Sequence, residues 1–202
     1  RVLDLIHDAL RKPAFAESEF NQLVNNTMMQ LEEARLDPQT IAMDLVAKQL
    51  NYWPSEDPRY YRNTAEKIEQ LKSVTLADAK NFWQAYYGAN YADVSLIGDF
   101  DADEVKAALQ SKFGDWYAKK IYQRVPNPYH ATSPQALTEK VADKANAFFA
   151  ASMTLPLSDR HPDYPALLLA NYLLGGSPNA RLSQRIRQKE GISYGVGSDL
   201  TV

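Results

Sequence analysis

The chain opens on an apolar rhythm with the period of a helix. Val2, Leu3, Ile6, Ala9 and Leu10 recur at that spacing, and Pro13 ends the run. Residues 17–35 repeat the pattern with Phe20, Leu23, Val24, Met28 and Leu31, with glutamates on the wet side. Asp37-Pro38 then reads as a helix start: an acceptor at the N-cap followed by proline at the first helical position. Residues 51–63 are turn-rich and aromatic and predict a loop, followed by a short helix over 64–71. Thr75 and Asp78 form a capping pair ahead of the stripe Leu76, Ala79, Phe82, Trp83 and Tyr86, which Gly88 closes. Asp101 and Glu104 predict a second capping box, with Phe100 and Val105 at the staple positions, for a helix ending near Gly114.

Other stretches carry no helical period. Val94 to Ile97 read as a short buried strand, 137–142 and 146–155 as a hairpin around Asp143-Lys144-Ala145, and Ile192 to Val202 as a strand that simply stops. Residues 119–136 hold three prolines among polar residues and predict a linker. Beyond it, helices are expected over about 162–174, with Ala166 to Ala170 and Tyr172 to Leu174 buried, and over about 179–189. Helices first, then strands before helices, predicts an α+β chain of two domains. The expected division is residues 1–118, the linker 119–136, and residues 137–202. The first residue falls inside a helical pattern and the last strand breaks off, so both domains are expected to be incomplete and the protein to extend further upstream.

Composition narrows the chemistry. The net charge is −3, which argues against a nucleic-acid binder. No apolar run approaches the roughly 20 residues of a membrane helix. With no cysteine, disulfides, thiolate metal sites and cysteine nucleophiles are excluded. His7, His130 and His161 lack the H-E-x-x-H or H-x-x-E-H spacing that sets two imidazoles on one helix face, so no zinc site is expected within the chain. There is no G-x-S-x-G elbow or phosphate-binding glycine loop, and Gly195-Val196-Gly197 reads as a flexible strand segment.

The segment from Asn171 to Tyr194 is the chemically suggestive one. Arg181, Arg185, Arg187 and Lys189 crowd one short helix, whose buried face is Leu182 and Ile186. Arg181 and Arg185 share a side while Arg187 points elsewhere. After Gly191 reverses the chain, Tyr194 returns near the helix. An arginine fork suits carboxylates or peptide carbonyls, and a phenol can donate to a developing oxyanion. On the residues alone, two readings stand: a solvated basic face beside a buried tyrosine, which is somewhat favoured, or a cradle for an extended peptide.

The run LLGGSPNARLSQRIRQKEGISYGVGS closely resembles the second-domain signature of the insulinase/pitrilysin zinc metallopeptidases, which include the mitochondrial processing peptidases. FWQAYYGANYADVSLIGDFDADEVKAALQSKFGDW is similar to that family's helix–strand–Gly-Asp–helix segment. LRKPAFAESEF and LDPQTIA are similar to the helices before it. NAFFAASMTLPLSDRHPDYPALLLANYLLGG is similar to the opening of its second domain. The resemblance covers nearly the whole chain and implies two consecutive processing-peptidase-like α+β domains enclosing a peptide chamber. It implies that Arg187 anchors substrate and that Tyr194, seven residues on, helps position or polarise the scissile carbonyl, a catalytic role.

The family's zinc motif has no match here. The implied role is therefore the substrate-binding, non-zinc half of a zinc metalloendopeptidase, inactive as an isolated fragment. The implied cofactor is zinc bound outside this chain, by a half in the same polypeptide or in a partner subunit. The alternative is a non-catalytic pseudo-peptidase that binds peptides or serves in assembly. A peptide substrate, no membrane span and self-association through exposed strand edges complete the expected partners. The compartment is left open, leaning to the periplasm.

Overall fold

Asp37 ends its extended backbone by accepting the Thr40 N–H at 2.8 Å, and Pro38 takes the first helical position without losing a needed donor. The same logic sets most helix starts. In the computed structural model, which describes residues 1–201, the helices are α1 (Val2–Arg11), α2 (Glu17–Ala34), α3 (Pro38–Leu50), α4 (Thr64–Ser73), α5 (Leu76–Tyr86), α6 (Ala102–Phe113) and α7 (Tyr164–Leu174). A π-helical segment follows at Ser183–Lys189. Reciprocal capping boxes open α4, through Asn63 and Glu66, and α5, through Thr75 and Asp78. At α6 Asp101 accepts the Glu104 N–H at 2.8 Å, the forward half of such a box.

The chain divides into two compact units. One comprises residues 1–127 and 134–152, the other residues 128–133 and 153–202. In the first, α2 packs on α4 and α1 on α6. Arg11 reaches from α1 to the Lys112 carbonyl and to Asp115, each at 2.6 Å, and the Trp83 indole donates to the Leu10 carbonyl at 3.0 Å. Thr64 and Ile68 of α4 are buried.

A polar latch holds the 51–63 loop between α3 and α4. Asp44 accepts from the Tyr61 hydroxyl at 2.6 Å and from the Thr64 N–H at 2.7 Å. Glu66 accepts from Tyr60 at 2.7 Å and pairs with Lys48 at 2.6 Å. Arg59 makes a bidentate pair with Asp57, lies 3.2 Å over the Trp53 ring, and donates to the Pro126 carbonyl at 2.7 Å.

The α+β expectation is overturned. Among the described residues there are helices and no strand. Residues 94–97, 137–142 and 146–155 join no ladder, and neither do residues 192–201; Val202, the last of that expected strand, lies outside the described residues. An extended segment becomes a strand only when a neighbour takes its N–H and C=O groups. The expected hairpin does turn, with Asp143 at φ +60°, yet its flanks stay unpaired. Its apolar residues meet water instead of a core: Phe149 is 87% exposed, and Ile97 of the first expected strand is fully exposed. The buried helix expected over 166–174 is also corrected. The helix forms, but Leu168, Leu169, Tyr172, Leu173 and Leu174 are exposed.

Candidate functional site

The second unit carries the basic segment and the tyrosine after it. Ala180 and Ser183 are buried and seat the start of the turn, which Gln184 continues by donating to the Ala180 carbonyl at 3.0 Å. The helix then widens: the Glu190 N–H bonds back to Arg185 at 3.0 Å, five residues earlier, and the Ile192 N–H to Ile186 at 3.1 Å. The α-helix expected here is thus a π-helical turn, a rare form often found at functional positions. Leu182 and Ile186 are half-buried, as an inward face requires.

Gly191 takes φ +63°, a left-handed conformation that costs glycine little, and reverses the chain. Ser193 donates to the Gly195 carbonyl at 2.7 Å and tightens the turn that presents Tyr194. The result brings the two sequence-predicted residues together. The Arg187 guanidinium carbon lies 4.5 Å from the centre of the Tyr194 ring. Arg187 is exposed and Tyr194 is 85% exposed, so the buried tyrosine of the blander reading is not what forms.

The neighbouring charges are arranged to leave Arg187 available. Arg185, not Arg187, pairs with Glu190, at 2.9 Å. Among the described residues Arg187 makes no ion pair, and the Tyr194 hydroxyl takes no hydrogen bond. An unpaired guanidinium beside an unpaired phenol offers a planar fork and a single donor-acceptor to a ligand arriving from solvent.

Residues that the sequence reading gave no role hold this turn from its far side. The Asn171 amide of α7 donates to the Ser198 carbonyl at 3.2 Å, and the Ser198 hydroxyl returns to the Asn171 carbonyl at 3.3 Å. The Ser198 N–H donates to the Gly175 carbonyl at 3.3 Å. The available signal was an amide-bearing residue one turn before Gly175-Gly176, where helix-end carbonyls need partners.

The donor set does not fit a metal. Among the described residues no three of His, Asp and Glu gather at ligand distance. His7 pairs with Asp8 at 3.0 Å, His161 Nδ1 accepts the Asp163 N–H at 3.2 Å, and the His130 carbonyl accepts from Thr154 at 2.9 Å. Among the described residues no helix is long and apolar enough to cross a membrane.

Residues 73–202 match the family described as the peptidase M16 inactive domain. That match spans more than half of the chain, and the chain belongs to the peptidase M16 family, on its inactive, non-zinc side. It is 25% identical over 193 residues to a Helicobacter pylori protein described as "Non-peptidase homolog YmxG", covering 95% of this chain and 43% of that protein. It is 22% identical over 198 residues to an "Uncharacterized zinc protease" of Rickettsia felis, covering 98% of this chain and 46% of that protein. The chain therefore spans less than half the length of either relative.

Proposed function

We propose that this chain is the peptide-binding, non-catalytic half of an M16-type zinc endopeptidase. The observation that carries the reading is the exposed stack of Arg187 on Tyr194, with neither polar head engaged. An extended peptide presents a row of carbonyls. A guanidinium fork can take one of them, or a carboxylate, in a fixed plane. The phenol can donate to the next carbonyl while its ring holds the guanidinium in place. Hydrolysis would require a zinc-carrying half, in the same polypeptide or in a partner subunit, because the residues here do not fit the ion.

The name of the Helicobacter relative supports a second reading, in which the parent protein keeps the peptide cradle and cleaves nothing. Both readings require binding, so binding is tested first. A fluorescein-labelled random-sequence peptide pool titrated with this chain should show saturable anisotropy. Arg187→Ala should weaken it about tenfold, the factor that 1.4 kcal/mol represents. Undiminished binding by the variant would remove the cradle under either reading. Zinc analysis and a cleavage assay on the parent protein then separate them: turnover that needs metal supports the endopeptidase, and binding without turnover supports the pseudo-peptidase.

A further inference from the structure

Tyr194 sits in a loop tethered at two points. On one side, the π-helical turn holds residues 190 and 192 through the Arg185 and Ile186 carbonyls. On the other, Ser198 is bound three times to the end of α7: its N–H to Gly175, its carbonyl to the Asn171 amide, and its hydroxyl to the Asn171 carbonyl. Between the tethers, the backbone of residues 193–197 has no other bond to the rest of the unit among the described residues. The loop backbone that carries the Tyr194 ring is therefore anchored at its two ends.

The far tether depends on a missing side chain. A Cβ on Gly175 would stand 2.5 Å from the Ser198 nitrogen and 2.6 Å from its hydroxyl oxygen, closer than real Cβ contacts come. Glycine lets the two backbones touch. Asn171 and Ser198 are both partly buried, so their bonds form with less competition from water than bonds at an open surface.

We propose that Asn171, Gly175 and Ser198 form a clasp whose role is to position Tyr194 against Arg187. They are positioning residues and touch no ligand themselves. The inference rests on the peptide-cradle reading for its functional consequence, but its structural part stands apart from it.

The test uses the full chain, labelled with 13C-tyrosine, with the Tyr194 signal assigned by its loss in Tyr194→Phe. Asn171→Ala should shift that ring signal toward the position it takes when Arg187→Ala removes the stacked guanidinium. The same variant should weaken the labelled peptide pool about fivefold, the factor one typical hydrogen bond is worth. It should have no further effect in a Tyr194→Ala background, because the clasp would then have nothing to position. Ser198→Ala should act in the same direction and Ser198→Thr should restore the signal, which keeps the test alive if Asn171→Ala fails to fold.

An unmoved ring signal in both Asn171→Ala and Ser198→Ala overturns the proposal, and so does an equal loss of binding with and without Tyr194. If Tyr194→Ala binds peptide normally, the cradle reading fails instead, and the ring signal alone decides whether the clasp positions the tyrosine.

Discussion

Arg187 lays its guanidinium 4.5 Å from the ring centre of Tyr194, seven residues along the chain, with both side chains in solvent. A cation on an exposed ring contributes about 0.5–1 kcal/mol, too little to hold a fold together. The pair's worth therefore lies in what it presents, and the two side chains can be dissected without unfolding the protein. Tyr194→Phe keeps the ring and removes only the donor, so it should cost less peptide affinity than Tyr194→Ala. Arg187→Lys keeps the charge but loses the planar fork, and should recover only part of the roughly tenfold loss of Arg187→Ala. Lysine binding as well as arginine would mean that charge alone is used, and raised salt should then abolish the interaction.

The latch at Asp44 is the next place where one group decides an outcome. Its carboxylate takes two hydrogen bonds, from Tyr61 and from the backbone N–H of buried Thr64. Hydrogen bonds to a charged group are worth about 1.5–3 kcal/mol each. Tyr61→Phe removes one donor and should lower unfolding free energy by about 1–2 kcal/mol in a urea titration. Asp44→Ala strands the Thr64 N–H as well and should cost more, about 2–4 kcal/mol. Equal losses would mean the Thr64 bond contributes nothing.

Much of the helical architecture is written locally, which is why it was legible. Asp37-Pro38, the Thr75 and Asp78 box and Gly114 each act within one turn of where they stand. The expected strands did not form, because an apolar run without helical period states only that a segment would pair if a neighbour offered its edge; residues 94–97 and 146–155 find none. Arg187 and Tyr194 could be picked out by resemblance alone, since helical spacing groups Arg181 with Arg185 and sets Arg187 apart. The π-helical turn that brings them together could not, since it depends on Ala180 and Ser183 finding burial. The Asn171 and Ser198 clasp spans 27 residues and leaves no periodic trace.

Acid should loosen the first unit. Burial raises the Glu66 carboxyl, but the bonds from Lys48, Tyr60 and the Asn63 N–H outweigh it and hold it at about 2, against an ordinary 4.5. The Arg59 side chain holds Asp57 at about 2 as well, against 3.8. A carboxyl whose folded pKa lies below its unfolded one stabilises fully above the unfolded value and loses that contribution as pH falls through the folded one. The melting temperature followed by circular dichroism should therefore drop from about pH 4.5 towards pH 2. Glu66→Gln, which has no charge to lose, should melt lower at neutral pH and show a shallower drop. An unchanged slope in that variant would assign the acid response elsewhere.

Exposed apolar surface makes the last prediction. Leu169 and Leu173 stand four residues apart on α7, so they share a face, and they are 60% and 56% exposed. Apolar side chains that share an exposed helix face can drive association when nothing covers them. Phe149 and Ile97 add further exposed apolar side chains outside the helices of the first unit. Sedimentation velocity on this chain should show a mass that rises with concentration. Leu169→Lys with Leu173→Glu should reduce the rise without lowering the melting temperature, because neither side chain is buried in its own unit. If the double variant associates as before while Ile97→Lys prevents it, the segment around Ile97 and not the helix face is the sticky element. A constant monomer mass across the series would mean that neither surface drives association.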